Sequence, residues 1–476
     1  MSLTVYISMN KAANAQRTDV RRIPDSRLWR KNFKEGTITI PGLKDLHTHP
    51  FVYSLLHTVG LVDISKCSTI TELTRALEEK KGTGLIIASG LDTDRLGHLT
   101  RREIDGISHE DHIMLFDPSY HGGLLNTKAA KKIFMESAGK LVIGTLEDSG
   151  VWKEQYLDYC LKLAAENTGR DTLLKGLLGW LREQRREGVV EIHDKQAMGA
   201  LGIEMLLEAK KRWGGEFPVT RVYCEIEGLM EVAADKNLLV KAMDEFGGIG
   251  LKMFADGSIG SQTAALISPY SGTMNKGIYY HDIEAVKLIG KSIRERVPLE
   301  VIPEVAIHAI GNRGIIHALS MANLIRNAVD RPVSIEHFEL SGDEILLEAV
   351  KGAIECGAIS HVLTNPNFSW DDVGAYGKWL GETMKRINPL RQIVEKGIPM
   401  KMGTDGMPQD ALYMLWCAIN QPFNMHDLSV EDAVGIASGV EDLADAKRTI
   451  TLSGPVLDAI FMKQDYTREG VIEARG

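Results

Sequence analysis

The sequence predicts an α/β chain built on a (β/α)8 TIM barrel, with an inserted α/β subdomain and a small, trimmed β-domain formed from the two termini. Three observations lead there. From about residue 185 a cadence sets in, each beat a short apolar strand followed by a helical stretch. Those strands end in polar residues, many of them able to bind metal. With the segment ending at His47 they number eight, the count of a barrel whose active site lies at the C-terminal ends of its strands.

In chain order, residues 1–40 carry two strand-like pieces, 3–8 and 36–40, separated by a basic, polar segment from Arg17 to Lys34. This is too little to fold alone, so it is expected to dock on the C-terminal segment. The run 455–462 is read as the strand that completes a small sheet, giving a β-domain over 1–40 and 431–476. Residues 41–50 follow the alternating, β-branched 36–40 and hold His47 and His49 two residues apart. Side chains two apart on an extended chain share a face, so both imidazoles could grip one metal ion.

Residues 51–184 change to helices broken by short strands at 85–90 and 113–116, with a long helix from Asp171, its N-cap, to Glu187. They are read as an inserted α/β lid subdomain. The barrel takes 41–50 and 185–430, with its remaining strands at 189–194, 219–224, 249–254, 305–309, 333–338, 358–363 and 400–405.

Composition narrows the function classes. A chain of 476 residues with 44% hydrophobic and 25% charged residues is an ordinary globular one. Its net charge of −9 argues against a nucleic-acid surface. Five scattered cysteines without a Cys-x-x-Cys pair point neither to a disulfide framework nor to a thiolate zinc site, and fit a reducing compartment. Residues 1–17 lack a charged-then-apolar signal pattern, and no run of about 18 apolar residues is present that could span a bilayer. The expectation is a cytoplasmic enzyme acting on a small-molecule substrate, without nucleic-acid or membrane partners; oligomeric state is open, a homodimer being one option.

Six residues carry the chemistry. His47 and His49 end strand 1, Lys252 lies on strand 4, His308 ends strand 5, His337 strand 6 and Asp405 strand 8. Singly, each has an ordinary reading, a satisfied core histidine or a solvated strand end. Together they would crowd one mouth, and burying that many titratable groups without a metal would cost on the order of several kcal/mol.

Several stretches resemble the amidohydrolase superfamily, within it the amidohydrolase 3 branch of metal-dependent hydrolases. They include residues 41–50, His121-Gly122-Gly123-Leu124-Leu125-Asn126-Thr127, 149–154, 188–194, the long 251–266, Ile307-His308-Ala309-Ile310-Gly311-Asn312, Ile335-Glu336-His337 and Gly403-Thr404-Asp405. They fall in family order from about residue 41 to 415, and 251–266 is the most specific. The resemblance implies two divalent metal ions, zinc foremost, with manganese, iron or cobalt also compatible with imidazole and carboxylate. His47 and His49 would bind the more buried ion with Asp405, and His308 and His337 the second. Lys252 would bridge them as a carbamate. A hydroxide held between the ions is the implied nucleophile, with Asp405 taking its proton and handing it to the leaving nitrogen.

Substrate-facing candidates are His121 and Asn126 in the insert, His193 at the end of strand 2, and Asp256 and Gln262 in the Gly-rich loop after Lys252. Hydrogen-bonded turns, or a buried pair of His193 with Asp194, explain them equally well. That loop lacks the Gly-Lys-Ser/Thr ending of a phosphate cradle and is read as shaping the pocket. Two departures from the family stand out. The usual closing Gly-x-x-Ala-Asp strand is replaced by Gly454-Pro455-Val456-Leu457-Asp458-Ala459, and Thr364-Asn365-Pro366-Asn367-Phe368, near His361, replaces an expected Gln-Pro pattern. The second leaves the substrate unassigned. The resulting expectation is a metal-dependent hydrolase of a carbon–nitrogen bond in an amide, N-acyl group or cyclic amide. Its rivals are a mononuclear deaminase-like site, with Lys252 structural and one ion held by His47, His49, His308 and Asp405, and a barrel that binds metal or regulates without catalysis.

Overall fold

The structure is a computed structural model that describes residues 20–118, 120, 122–136, 151–153, 157–370, 375–423, 426–466 and 471–475. The strand expected at 3–8 lies outside them.

The first strands among the described residues are β1 (Arg30–Asn32) and β2 (Thr37–Pro41), an antiparallel pair. It then passes through Gly42 into β3 (Leu43–Thr48), the first barrel strand. A Cβ at Gly42 would collide with the Val190 side chain, so a glycine is what lets the two sheets meet so closely. Next comes a second, five-stranded sheet. Its strands β4 (Val62–Asp63), β5 (Leu85–Ser89) and β6 (His112–Phe116) run parallel, and β7 (Gly122–Leu125) and β8 (Val151–Lys153) are antiparallel additions. It has its own core, with Ile64, Leu73, Ile86 and Leu115 at zero exposure. The following helix spans Arg170–Arg186 and begins at Gly169, so Asp171 sits inside its first turn, where a carboxylate still favours the positive helix end.

The barrel resumes with β9 (Val189–Asp194), β10 (Val219–Cys224), β11 (Gly250–Phe254), β12 (Val305–Ala309), β13 (Val333–His337), β14 (His361–Thr364) and β15 (Met400–Met402). With β3 they form one eight-stranded sheet in the order β15-β14-β13-β12-β11-β10-β9-β3, every paired neighbour parallel. The predicted barrel architecture holds. The ring closes between β15 and β3: Asp405 N–H donates to the His47 carbonyl at 2.7 Å. Beside it the Asp45 carboxylate accepts from Thr404 N–H at 2.9 Å and from Thr404 Oγ1 at 2.6 Å. At Gly403 a Cβ would stand 2.5 Å from the His47 nitrogen, so this seam has no room for a side chain.

The small terminal sheet differs from expectation. Its order is β1-β2-β16-β17, with β16 (Thr449–Ser453) on β2 and β17 (Val471–Arg475) outermost. The run read as its strand is instead a helix, Gly454–Phe461. The spacing explains why: Val456, Leu457, Ala459 and Ile460 are the buried residues, a helical rather than an alternating set, and Pro455 suits the first helical turn. Among the described residues, no helix is long and apolar enough to cross a membrane.

Candidate metal centre

β3 delivers His47 fully buried and His49 just past its end. His47 Nδ1–H donates to Glu336 Oε2 at 2.7 Å, which leaves the lone pair on Nε2. That Nε2 is buried without a hydrogen-bond partner. Asp405 Oδ1 stands 3.6 Å from it and 2.9 Å from His49 Nε2. One atom from each of the three lies within 4.8 Å of the other two, the spacing of ligands around one cation. Asp405 reaches in from the turn beyond β15 with a left-handed backbone, φ 54°, and Tyr53 Oη donates to its carbonyl at 2.6 Å.

The second group comes from three adjacent strands. Lys252 on β11 is 2% exposed, and His308 on β12 and His337 at the end of β13 are equally enclosed. The His308 and His337 rings lie 4.3 Å apart and those of His47 and His337 4.5 Å apart, centroid to centroid. His308 Nε2 donates to the Gly257 carbonyl at 3.1 Å. His337 also has a positive φ, 66°; strain of this kind costs about 1–3 kcal/mol and tends to collect at functional sites. All six candidates line one cavity at the C-terminal mouth of the barrel.

The electrostatics suit a cation. Burial, reinforced by the Lys252 charge, pushes His47 down to about 4, so its imidazole is neutral at physiological pH. Burial alone would raise Asp405, but the His49 hydrogen bond and the surrounding positive groups outweigh it and hold the carboxyl at about 2. Burial also pushes Lys252 down to about 8. A neutral His47 imidazole beside an ionised carboxylate, with its Nε2 buried and left without a hydrogen bond, fits a divalent metal ion.

The substrate-facing candidates fare differently. His121 lies outside the described residues. Asn126, His193, Asp256 and Gln262 are not among the described residues that line the cavity. Asn126 accepts from Ile113 N–H and Ala129 N–H and donates to the Asp111 carbonyl, a buried brace between β6 and the helix after β7. Asp256 accepts from the backbone N–H groups of Ala265, Ile310 and Gly311 at 2.8–3.0 Å and so staples two βα loops together. Gln262 takes a left-handed turn conformation, and its carbonyl accepts from Asn275. His193 pairs with Glu191 at 3.2 Å rather than with Asp194. The Asp194 carboxylate accepts from Gln196 N–H at 3.1 Å instead.

Other cavity walls carried no sequence signal of their own: Tyr53, Gln196, Glu225 and Tyr280, with Val52, Leu56 and Met407 as the apolar side. Glu336 was also missed. A lone acid in the short, fully buried Val333–His337 strand, between Ile335 and the candidate ligand His337, marks a charge that must have a partner, and that signal could have singled it out.

Fold and site together define a (β/α)8 barrel with a histidine–carboxylate centre at its C-terminal mouth. The amidohydrolase family model matches residues 35–454, and the chain belongs to that family. YtcJ of Bacillus subtilis (strain 168), a protein named for the amidohydrolases, is 22% identical over 410 residues, covering 81% of this chain and 73% of YtcJ. Two solved structures share the fold, both described as uncharacterized metal-dependent hydrolases. That from Pyrococcus horikoshii OT3 has a TM-score of 0.64 at 21% identity, covering 90% of this chain and 88% of its own. That from Pyrococcus furiosus has a TM-score of 0.61 at 21% identity, covering 89% and 88%.

Proposed function

We propose that this amidohydrolase-family protein is a metal-dependent hydrolase that cleaves a carbon–nitrogen bond in a small molecule, an amide, N-acyl group or cyclic amide. The observation that carries the reading is the meeting of six potential ligands in one cavity, with His47 Nε2 buried and lacking a hydrogen bond. His47, His49 and Asp405 would hold one ion and His308 and His337 a second, zinc being the first choice and manganese, iron or cobalt the alternatives. Bound divalent ions would supply a water acidified towards neutrality and a Lewis acid for the scissile carbonyl.

The chain's own groups do the rest. Asp405, an ionised carboxylate within reach of the cavity, accepts the proton of the attacking water and passes it to the leaving nitrogen. Lys252 is enclosed, and its lowered pKa leaves part of it as the free amine. That amine can add carbon dioxide, losing a proton, to become a carbamate with two oxygens to offer. Gln196, Glu225, Tyr280 and the apolar wall of Val52, Leu56 and Met407 border the space for substrate.

One observation favours a second reading. His47, His49 and Asp405 are the described residues that cluster tightly enough to hold a cation unaided, as a mononuclear, deaminase-like centre would require. The deciding experiment assays zinc- or manganese-loaded protein against N-acyl and N-formyl amines and cyclic amides while counting ions by elemental analysis. About two ions per chain with hydrolysis is expected. About one ion, with activity that survives Lys252→Ala, would favour the mononuclear centre. Tight metal binding with silence across the panel would overturn the hydrolase reading in favour of a barrel that only binds or regulates.

A further inference from the structure

Behind the centre lies a buried ion pair with no share in the chemistry just described. Glu336 on β13 is fully buried, and Lys195, one residue past β9, is 1% exposed. Glu336 Oε2 accepts from His47 Nδ1–H at 2.7 Å. Its Oε1 accepts from Lys195 Nζ at 3.1 Å and from Ser334 Oγ at 2.5 Å. Lys195 Nζ also stands 3.9 Å from the centre of the Tyr223 ring, which fixes it from a second side. Both carboxylate oxygens are therefore committed. A carboxylate this deep without a cation beside it would cost several kcal/mol, so Glu336 needs Lys195 if it is to serve His47 as an anion.

The two histidines of the first strand are not held alike. His47 is anchored through Nδ1, whereas His49 Nδ1 is buried without a hydrogen-bond partner and its Nε2 leans on Asp405. A ligating imidazole is oriented, and its tautomer chosen, by the acceptor on its far nitrogen. We propose that Glu336 and Lys195 are positioning residues: Glu336 fixes the ring and tautomer of His47 so that Nε2 faces the metal, and Lys195 clamps and neutralises Glu336. This role rests on the reading that His47 ligates a divalent ion. Its competitor is a plain internal ion pair that serves only the barrel.

The test replaces both members with apolar side chains of similar size, Lys195→Met/Glu336→Leu, a change that commonly leaves stability intact. Zinc affinity of wild type and variant is measured by competition with a chromophoric chelator, alongside urea unfolding of both. The expected result is a stably folded variant that binds zinc about 10- to 100-fold more weakly. In the metal-free proteins, nitrogen NMR of His47 should show the Nδ1–H tautomer in wild type and its loss in the variant. Lys195→Met/Glu336→Gln keeps an acceptor for Nδ1–H and should lose only about tenfold, the lower end of that range; it carries the comparison if the first variant does not fold. Equal zinc affinity and an unchanged tautomer would overturn the positioning role alone. Zinc bound by neither protein would overturn the metal reading and this role with it.

Discussion

Lys252 is the residue on which the two readings of the centre divide. If it bridges two ions as a carbamate, Lys252→Ala removes a shared ligand; kcat/KM on any substrate found should fall at least about 100-fold, roughly one ion should be lost, and a short carboxylic acid should restore part of both. Unchanged ion content in Lys252→Ala would sink the bridging role. Asp194 makes a different statement, about stability. Burial pushes its carboxyl from the usual 3.8 to about 7, and one of its oxygens has no hydrogen-bond partner. A carboxyl with a raised folded pKa binds more protons in the folded than in the unfolded chain, so its contribution to stability falls as pH climbs from about 4 to about 7. Asp194→Asn should abolish that slope, gaining on the order of 1–4 kcal/mol at pH 8 and little at pH 4. Urea unfolding of both proteins at the two pH values measures it, and a gain of equal size at both would refute the assignment.

At the scale of elements, what the sequence made legible follows from periodicity. The short runs at 189–194, 219–224 and 305–309 match their strands end for end, and that at 305–309 is buried at every residue, as a parallel-barrel strand covered on both faces should be. The two-residue spacing of His47 and His49 was readable for the same reason. Glu336 was hidden because alternation should aim it away from His337; the left-handed turn at His337 lets both serve one site, and no pattern of residue types announces that turn. For Asn126 the sequence left a hydrogen-bonded turn and a substrate contact equally open, because a polar residue beside a glycine-rich strand looks alike in either role; the structure shows it bracing β6 against the helix after β7. Its role as a brace predicts that Asn126→Ala loses about 2–3 kcal/mol by urea unfolding, with kcat/KM of the folded variant unchanged; a stable variant with altered KM would reverse that assignment. The β15–β3 seam predicts the opposite coupling. Gly403→Ala pushes a methyl group against His47, so it should cost at least about 1–3 kcal/mol and weaken metal binding together, and a loss of stability with metal affinity intact would show that the seam does not hold the ligands.

Across the whole molecule, the proposed ligands join the two ends of the barrel sheet. His47 and Asp405 are 358 positions apart in the chain and meet only when β15 closes on β3, while Lys252, His308 and His337 come from the middle of the ring. A metal bound by such a set binds the folded barrel and not the open chain, so its affinity adds to stability by mass action. At a free zinc concentration of 100 to 1,000 times the dissociation constant, the gain is about 2.7–4.1 kcal/mol. In a chain of 476 residues, whose unfolding entropy is large, that corresponds to only about 3–4 °C in Tm. Protein stripped with a chelator should therefore melt a few degrees lower, and zinc should restore the Tm along a slope logarithmic in its free concentration. Asp405→Asn, which keeps the size but not the charge of the seam-side ligand, should flatten that slope. A Tm indifferent to zinc, in protein that still binds it, would mean that the ion sits away from the seam, and the ligand set joining β3 to β15 would be the wrong one.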